Sequence, residues 1–441
     1  MKGVPRLFRS LLYTLRGGFL IRPLVIAVLL GIAGAVLSEA EEAIPAIGAW
    51  LPATLFPSRQ DPQVAQAILS GIATSIMTVV SIVFAILLMT LTLASTQFSP
   101  RILVSFVRDR TTQWTLGVFL GTFSYCMAAL PAARSLPHPF VPVATVTGAM
   151  LLALVCVGWL IFFINHISRA ISVNHIVDRI ARETELIIDG FMPDPRAPLM
   201  RSKSVELLHG GKDAVPVLNQ LSGYIRYLDI SQLFQRAKDY RIQVRVERRV
   251  GHFVPAGVAL LTASPSERIT AERSERLLAA FDIGPTRTMQ QDVEFGVIQI
   301  VDIALRAISP AVNDPSTAIS CIDQLSRILI RWLSRALPAS YFYSPPHVLR
   351  LAVPWISLDG LLDTAFEQIR HYSAGDVAVS LRLLRAFADI ASTTDQLEVH
   401  RNLLERAQRV IAGSTGRLPQ TDLARLQQRL APLESRVSMN A

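Results

Sequence analysis

An uncharged stretch between Val64 and Phe98 constrains the fold of this chain more than any other feature. A helix needs about 20 predominantly apolar residues to cross the hydrocarbon core of a bilayer. The stretch is longer than that, so it can span a membrane with tilt or continue beyond it as a helical extension. The sequence therefore predicts a transmembrane helix over residues 64–98.

One face of this predicted helix carries a row of small and hydroxyl side chains. The spacing of three or four residues places them on one face, and the hydroxyl members are Thr74, Thr78, Ser81, Thr92, Ser95 and Thr96, with Ala85 and Leu88 between them. Two interpretations remain open. The row packs against neighbouring helices, because small residues allow close approach and hydroxyls bond to their own backbone, or it lines a polar path through an oligomer.

Three further apolar stretches predict three more transmembrane helices, at about residues 23–37, 114–130 and 140–164. Of the 441 residues, 51% are hydrophobic and 17% are charged, and the apolar excess lies in the first 167. The basic start and the first apolar run also have the form of a signal peptide, but the spans that follow favour an uncleaved first helix. We expect a four-span transmembrane domain over residues 1–167.

The basic residues predict the orientation of the spans, because cytoplasmic loops retain positive charge. The predicted inside segments carry Lys2, Arg6, Arg9, Arg16, Arg22, Arg101, Arg108, Arg110, Arg169, Arg179 and Arg182, and the outside loops carry Arg59 and Arg134. Both termini are therefore expected in the cytoplasm, with Glu39, Glu41 and Glu42 in an outside loop. The net charge of +9 also suits nucleic acid, but its placement beside the spans favours a membrane role, so we expect no nucleic-acid partner.

The second half of the chain has the composition of a soluble region with mixed structure. Residues 168–199 predict a connecting helix followed by a proline-containing linker. Residues 241–250 alternate between apolar and polar side chains, as in a half-buried strand, and together with neighbouring glycines they predict a small β module over residues 200–265. Its glycine-rich segments resemble the barrel-sandwich repeats of biotinyl and lipoyl domains, although no carrier lysine sits on a tight turn. Residues 266–441 predict an α-helical cytoplasmic domain.

Two helix starts can be recognised in this α-helical domain. Thr288 and Gln291 have the spacing of a capping box, with Asp292 in the first turn where the helix dipole favours a carboxylate. Asp314 followed by Pro315 has the form of an N-cap and a first-turn proline. Between them, Asp302 and Arg306 form an i,i+4 pair.

Several short motifs of this region resemble the signature of one family. They are Arg287-Thr288, Gln291-Asp292, Phe295-Gly296, Asp302-Ile303-Ala304, Arg306-Ala307 and Ser309-Pro310-x-x-Asn313-Asp314-Pro315-x-Thr317-Ala318. The family is the bacterial predicted membrane proteins called domain of unknown function 2254, and the resemblance covers most of the chain. Ala311 stands where the signature leads us to expect glycine. The resemblance implies a multi-pass protein of the bacterial inner membrane with four spans and a large cytoplasmic part, and it implies no reaction.

The inventory of reactive groups does not favour an enzyme. The chain has no H-E-x-x-H or C-x-x-C motif, phosphate loop, dinucleotide fingerprint or nucleophile elbow, so we expect no cofactor and no metal. A polar cluster is predicted from the motif residues Arg287, Asp292, Asp302, Arg306, Asn313 and Asp314. Three roles for it remain open: a cap and salt-bridge network that fixes two helices, a ligand or ion sensor, and a catalytic site.

The leading hypothesis is a homo-oligomeric ion-conducting or permeation protein, gated or assembled by its cytoplasmic domain. The predicted spans contain no Asp, Glu, Lys or Arg beyond Arg22 at an edge, which disfavours a carboxylate-driven pump and leaves a passive path. Its expected partners are membrane lipid, further copies of the chain and ions. A membrane-anchored scaffold or sensor without transport activity is the alternative, and an enzyme acting on lipid is a third possibility.

Overall fold

The computed structural model describes residues 21–44, 46–49, 61–97, 110–134, 139–170, 172–193 and 213–439. The chain divides into two compact units, Met1–Ser172 and Val173–Ala441, called here the membrane unit and the α/β unit. Several features used for the predictions lie outside the described residues: the N-terminal basic residues, Arg59, Arg101 and Arg108, and the linker 194–212.

The membrane unit contains four helices that are long and apolar enough to cross a bilayer. They are α1 (Ile21–Ala43), α2 (Pro62–Gln97), α3 (Arg110–Ala129) and α4 (Val143–Ala170), with a one-turn helix at Ala46–Ala49 and a 3-10 turn at Leu130–Ala132. The four predicted spans are therefore confirmed. The prediction that Glu39, Glu41 and Glu42 lie in a loop is wrong, because α1 continues through all three.

Helix α3 is the most enclosed of the four spans. Half of the residues in its most apolar 18-residue segment are buried, compared with 17% to 22% in the corresponding segments of the other three. Close approach to α1 depends on glycine: a Cβ built on Gly34 would lie 2.6 Å from the carbonyl oxygen of Tyr125, and one on Gly117 would lie 2.6 Å from Ile26. Small residues at such crossings let helix backbones come together in lipid.

Glu41 joins the end of α1 to the start of α4. Its side chain is only 3% exposed, and its carboxylate accepts hydrogen bonds from the Ala144 N–H at 2.8 Å, the Thr145 N–H at 3.1 Å and the Thr145 hydroxyl at 3.1 Å. The N-terminus of a helix has unpaired N–H groups and a positive dipole end, both of which favour a carboxylate. Glu41 therefore caps α4 from another helix, while Glu42 pairs with Arg134.

The α/β unit combines helices with two β-sheets. Its helices are α5 (Val173–Phe191), α6 (Ile230–Asp239), α7 (Ala271–Leu278), α8 (Val293–Ala307), α9 (Pro315–Leu333), α10 (Leu358–Tyr372), α11 (Val377–Ala391), α12 (Leu397–Ser414) and α13 (Gln420–Met439). Its strands are β1 (Val215–Leu218), β2 (Gly223–Leu228), β3 (Gln243–Val246), β4 (Phe253–Val254), β5 (Ala259–Ser264), β6 (Phe281–Gly284), β7 (Tyr341–Ser344) and β8 (Val348–Ala352).

The strands extend over a wider region than the β module predicted for residues 200–265. One sheet has the order β1-β5-β3-β8-β7 and the other the order β4-β2-β6. Strand β8 pairs in parallel with β3, through Val244 and Leu351, although about a hundred residues and several helices separate the two strands. The two sheets enclose an apolar core with α6 and α7. This mixed arrangement does not match the barrel-sandwich repeats that the glycine-rich segments resemble.

Helix α5, predicted as a connector, is an integral part of the α/β unit. Its apolar face, from Ile176 to Ile188, is buried against α8 and α9. Side-chain hydrogen bonds also join α5 to α9 and to the residue two positions beyond it. Asn174 pairs with Ser320, Asp178 and Glu185 pair with Arg327, and Asp189 pairs with both Arg331 and Arg335. The partners are 146 residues apart at both ends of this series, so α5 and α9 run in parallel.

Candidate functional site

The hydroxyl row lies on the face of α2 that its own unit leaves uncovered. The buried positions of α2 include Ala65, Leu69, Ala73, Ile76 and Val83. The row positions Thr74, Thr78, Ser81, Ala85, Leu88 and Thr92 are all exposed. At 3.6 residues per turn, the row is centred about 150° from the buried face. The row therefore points towards whatever surrounds the membrane unit.

Most of the described hydroxyls of the row already have an acceptor for their proton. The Oγ1 of Thr78 donates to the carbonyl oxygen of Thr74 at 3.1 Å, and the Oγ of Ser81 donates to that of Met77 at 3.0 Å. Thr92 donates to the carbonyl of Leu88 at 2.9 Å. Such bonds to the preceding turn are common for Ser and Thr in transmembrane helices. The lone pairs of each hydroxyl still give the row a polar character.

A groove beside the row separates α2 from α3. It has a volume of about 280 Å³, and α2 contributes Ser70, Thr74 and Met77 to its lining while α3 contributes Phe123 and Met127. The groove thus continues the row onto a largely apolar surface. Ser95 and Thr96 belong to the last turn of α2, where the side chains lie outside the described part of the chain.

In the α/β unit, Arg287 is the centre of a buried ion-pair network. Its Nε lies 2.7 Å from Oδ2 of Asp292, and its Nη2 lies 2.9 Å from Oε2 of Glu294. Glu294 also accepts two hydrogen bonds from Arg249, at 2.9 and 3.2 Å. The exposed fractions of the four side chains range from 3% to 20%. The positive charges of the two arginines are therefore matched by the negative charges of the two carboxylates.

The local chain is shaped to bring this network together. Asp292 is the N-cap of α8, and its Oδ1 accepts a hydrogen bond from the Phe295 N–H at 3.0 Å. Gly251, with φ of +91°, lies so close that a Cβ there would be 2.5 Å from Oδ2 of Asp292. Burial alone would raise the pKa of Glu294, but hydrogen bonds from Arg249 and Arg287 and their charges outweigh it and lower that pKa.

The predicted capping box at Thr288 is wrong. Helix α8 begins one residue after Asp292, so Asp292 takes the capping position itself. Gln291 instead pairs with the backbone of Leu228, accepting from its N–H at 3.0 Å. The Thr288 hydroxyl is buried without a hydrogen-bond partner among the described residues.

The six motif residues form two separate groups rather than one cluster. Arg287 and Asp292 lie at the start of α8, whereas Asn313 and Asp314 follow its end. The 15 residues of α8 correspond to a helix about 22 Å long, which keeps the two groups apart. Asp302 lies within α8 and Arg306 in its last turn, next to the second group, and both take part in polar interactions.

The second group caps a helix, as its sequence predicts. Asp314 is the N-cap of α9 and accepts hydrogen bonds from the Thr317 N–H at 3.1 Å and the Thr317 hydroxyl at 2.6 Å. These bonds lower the pKa of Asp314. Asn313 has a positive φ of 49°, which asparagine tolerates better than most residues. The N-cap prediction for Asp314 is confirmed.

Sequence reasoning missed three features of these sites. Glu41 reaches the start of α4, and Arg249 joins the Arg287 network. Arg335 and Asp189 border a cavity of about 530 Å³ that aromatic residues also line, namely Phe191, Phe342 and Trp355. The four-residue spacing of Arg327 and Arg331 was a visible signal, because it aligns the two on one face of α9, and Arg335 follows just beyond the end of that helix. The partners of Glu41 and Arg249 are distant in sequence and gave no comparable signal.

Within the described residues, no group of three or more His, Cys, Asp or Glu side chains is arranged to hold a metal ion. The three cysteines, Cys126, Cys156 and Cys321, are free and buried. The arginines and carboxylates of the α/β unit mostly neutralise one another, so its ion pairs stabilise helix contacts. The exposed polar row of α2 is the candidate functional surface of the membrane unit.

Comparison with known proteins places the chain in a family. Residues 16–389 match the family model described as predicted membrane protein (DUF2254). Because the match covers most of the chain, the protein belongs to this family of predicted membrane proteins, and the resemblance read from the motifs is confirmed. Membrane localisation follows from the family and the four apolar helices.

The chain is also similar to mycobacterial proteins whose names state no function. An uncharacterized protein of Mycobacterium tuberculosis and one of Mycobacterium bovis are each 32% identical to it over 337 residues. The aligned part is 75% of this chain and 64% of each relative, so the chain spans less than two thirds of their length. No solved structure matches the chain.

Proposed function

We propose that the protein is a homo-oligomer in the bacterial inner membrane and that copies of α2 surround a path for ions or small polar solutes. The observation that carries the proposal is the position of the hydroxyl row. Thr74, Thr78, Ser81 and Thr92 share the exposed face of a span whose opposite face packs on its own unit. Helix association in membranes uses faces rich in small and hydroxyl residues, and such faces also line passive pores.

The described part of α2 carries no charged side chain after Asp61. A path lined by this row would therefore offer hydroxyl oxygens and weak, multiple contacts, which permit passage rather than tight binding. The α/β unit would stand on the cytoplasmic side, as the basic flanks suggest, and would assemble or gate the path. This proposal gives no catalytic role to Arg287, because its carboxylate partners already occupy its guanidinium.

A scaffold or sensor without transport activity is the second candidate. It is favoured by the hydrogen bonds that Thr78 and Ser81 make to their own helix, since a hydroxyl satisfied in this way can face lipid at modest cost. In this alternative the four spans only hold the α/β unit at the membrane. The two candidates differ in whether the row meets other copies or lipid.

Flux through reconstituted liposomes separates the candidates. The variant carrying Thr78→Leu and Ser81→Leu keeps helix propensity but removes the hydroxyls. We expect it to lose most of the potassium, sodium or chloride flux that the unsubstituted protein supports. Ser75→Leu is the matched control, because Ser75 is an exposed hydroxyl of α2 about 100° away from the row.

Cysteine crosslinking tests the assembly independently of flux. Thr78→Cys and Ser81→Cys are expected to give dimers and larger products with a short thiol crosslinker in membranes, and Ser75→Cys is expected to give fewer. Equal flux in the double leucine variant and the unsubstituted protein would show that the row does not line the path. Absence of both flux and crosslinked products would favour the scaffold.

A further inference from the structure

The loop between α8 and α9, residues 309–314, lies at the same end of the α/β unit as the start of α5, where the chain enters this unit. Helix α4 ends at Ala170 and α5 begins at Val173, so three Cα steps of 3.8 Å keep the start of α5 within about 11 Å of the span. Because α5 and α9 run in parallel, with Asn174 beside Ser320, the start of α9 lies next to the start of α5. The loop immediately precedes it.

This loop is ordered and yet presents apolar side chains outward. Val312 is 54% exposed, and Pro310 and Ala311 beside it are exposed as well. Backbone hydrogen bonds fix the turn: the N–H groups of Val312 and Asn313 donate to the Ser309 carbonyl at 3.0 and 2.9 Å. The apolar tip is therefore built into the fold.

The charge pattern of the loop suits a lipid surface better than water. No charged side chain occurs from residue 307 to residue 313. The carboxylate that follows, on Asp314, is turned into α9 by its bonds to Thr317. Turns are usually built from Gly, Pro, Asn, Asp and Ser, so turn chemistry accounts for Ser309, Pro310 and Asn313 but not for the exposed Ala311 and Val312.

We propose that the loop 309–314 contacts the lipid surface at which α4 ends, with Val312 entering the interfacial layer. A single valine contributes little binding by itself. The covalent connection through α4 and α5, however, makes the contact intramolecular and raises its effective concentration. The loop thereby becomes a second attachment of the α/β unit to the membrane, and this role does not depend on ion conduction.

The test places an environment-sensitive fluorophore at residue 312 of the full chain in liposomes, through Val312→Cys. The matched control is Leu337→Cys, because Leu337 is also an exposed apolar residue, at 66%, but follows the opposite end of α9. The 19 residues of α9 separate the two sites by about 28 Å. The unsubstituted protein reports background labelling, since its three cysteines are buried.

Nitroxide-labelled lipids are then added as quenchers, and iodide serves as the aqueous quencher. We expect the probe at residue 312 to emit at shorter wavelength, to lose fluorescence to the lipid nitroxides and to be shielded from iodide. The probe at residue 337 is expected to show none of these changes. Equal lipid quenching at both sites, or stronger iodide quenching at residue 312, would overturn the proposal. Melting curves of both labelled variants verify that they are folded.

Discussion

The two units of the molecule use their polar side chains in different ways. In the membrane unit, hydroxyls bond to the helix that carries them: Thr78, Thr90, Thr92, Thr115, Thr122 and Thr147 each donate to the carbonyl four residues earlier. In the α/β unit, some hydroxyls, such as those of Thr184 and Ser414, bond back in the same way, but aspartates also cap helices and arginines join one element to another. The difference follows from the solvent, because lipid offers no hydrogen bonds to a side chain that loses its partner.

The two units also differ in what holds their helices together. Helices α1 and α3 approach through glycines that have no room for a Cβ. Helices α5 and α9 are held by arginine–carboxylate pairs along their length. Close van der Waals contact is the main source of helix association in lipid, whereas ion pairs give register and specificity in water. We therefore expect the membrane unit to be most sensitive to added volume and the α/β unit to lost charge.

The largest effect is expected from Arg287→Ala in the α/β unit. The substitution leaves the carboxylates of Asp292 and Glu294 buried with fewer partners, and removing one member of a buried ion pair costs about 3 kcal/mol or more. Denaturant unfolding of the purified protein, followed by tryptophan fluorescence, measures the loss. Arg276→Ala removes an exposed arginine paired with Glu272 and serves as the control that should leave stability unchanged.

An unchanged unfolding midpoint for Arg287→Ala would mean that the network contributes no more than a surface pair. The expectation that the α/β unit is most sensitive to lost charge would then be wrong.

The next largest effect is expected from Gly34→Val in α1. The added Cβ would lie 2.6 Å from the Tyr125 carbonyl oxygen, and forcing volume into a packed contact costs about 2 kcal/mol. Thermal stability in mild detergent, read by size-exclusion chromatography, should fall. Gly158→Val is the matched control, since no atom lies within 4 Å of a Cβ built on Gly158. Equal stability of the two variants would contradict the close approach of α1 and α3.

Acidification is expected to weaken the Arg287 network to a smaller extent. The pKa of Glu294 is lower in the folded protein than the ordinary value of 4.5, so its contribution is complete above that pH and is lost as the pH falls through the folded pKa. Stability of the unsubstituted protein should therefore decline below about pH 4.5. Glu294→Gln should flatten this decline, and a pH series of unfolding midpoints compares the two proteins. Parallel curves would show that another group governs the response.

The smallest effect is expected from Asp314→Ala at the start of α9. Loss of an N-cap side chain typically costs about 1 kcal/mol, because the Thr317 N–H loses its acceptor. Unfolding midpoints measure this loss. Asp395→Ala is the control, since Asp395 is exposed and lies outside any helix. A loss of stability no larger than that of the control would show that Asp314 does not stabilise α9 as its N-cap.

Local sequence signals predicted local structure well. The uncharged stretch became α2, and Asp314 followed by Pro315 became a helix start, because each depends on residues within one or two turns. The capping box predicted at Thr288 was wrong because two residues, Thr288 and Asp292, could each cap the start of α8. Asp292 is nearer to the first helical residue, and Gln291 bonds to strand β2 instead.

The features that failed to show in the sequence depend on distant partners. Strand β8 joins the sheet beside β3 only after α7, α8 and α9 have intervened. Arg249 meets Glu294 across 45 residues, and neither position has a spacing that marks the pair. The predicted cluster of six motif residues failed for a related reason, since a helix of known length separates residues that sit close together in the motif.

The capping of α4 by Glu41 has a consequence for how the chain is made. Glu41 is synthesised 103 residues before Ala144, so the first span is complete well before the N–H groups that hold its carboxylate have been made. Until the fourth span arrives, the acid must stay at the hydrated rim. Biogenesis of the bundle is therefore completed only by its last segment, and a nascent chain released before that point leaves the Glu41 side chain without the hydrogen-bond donors of α4.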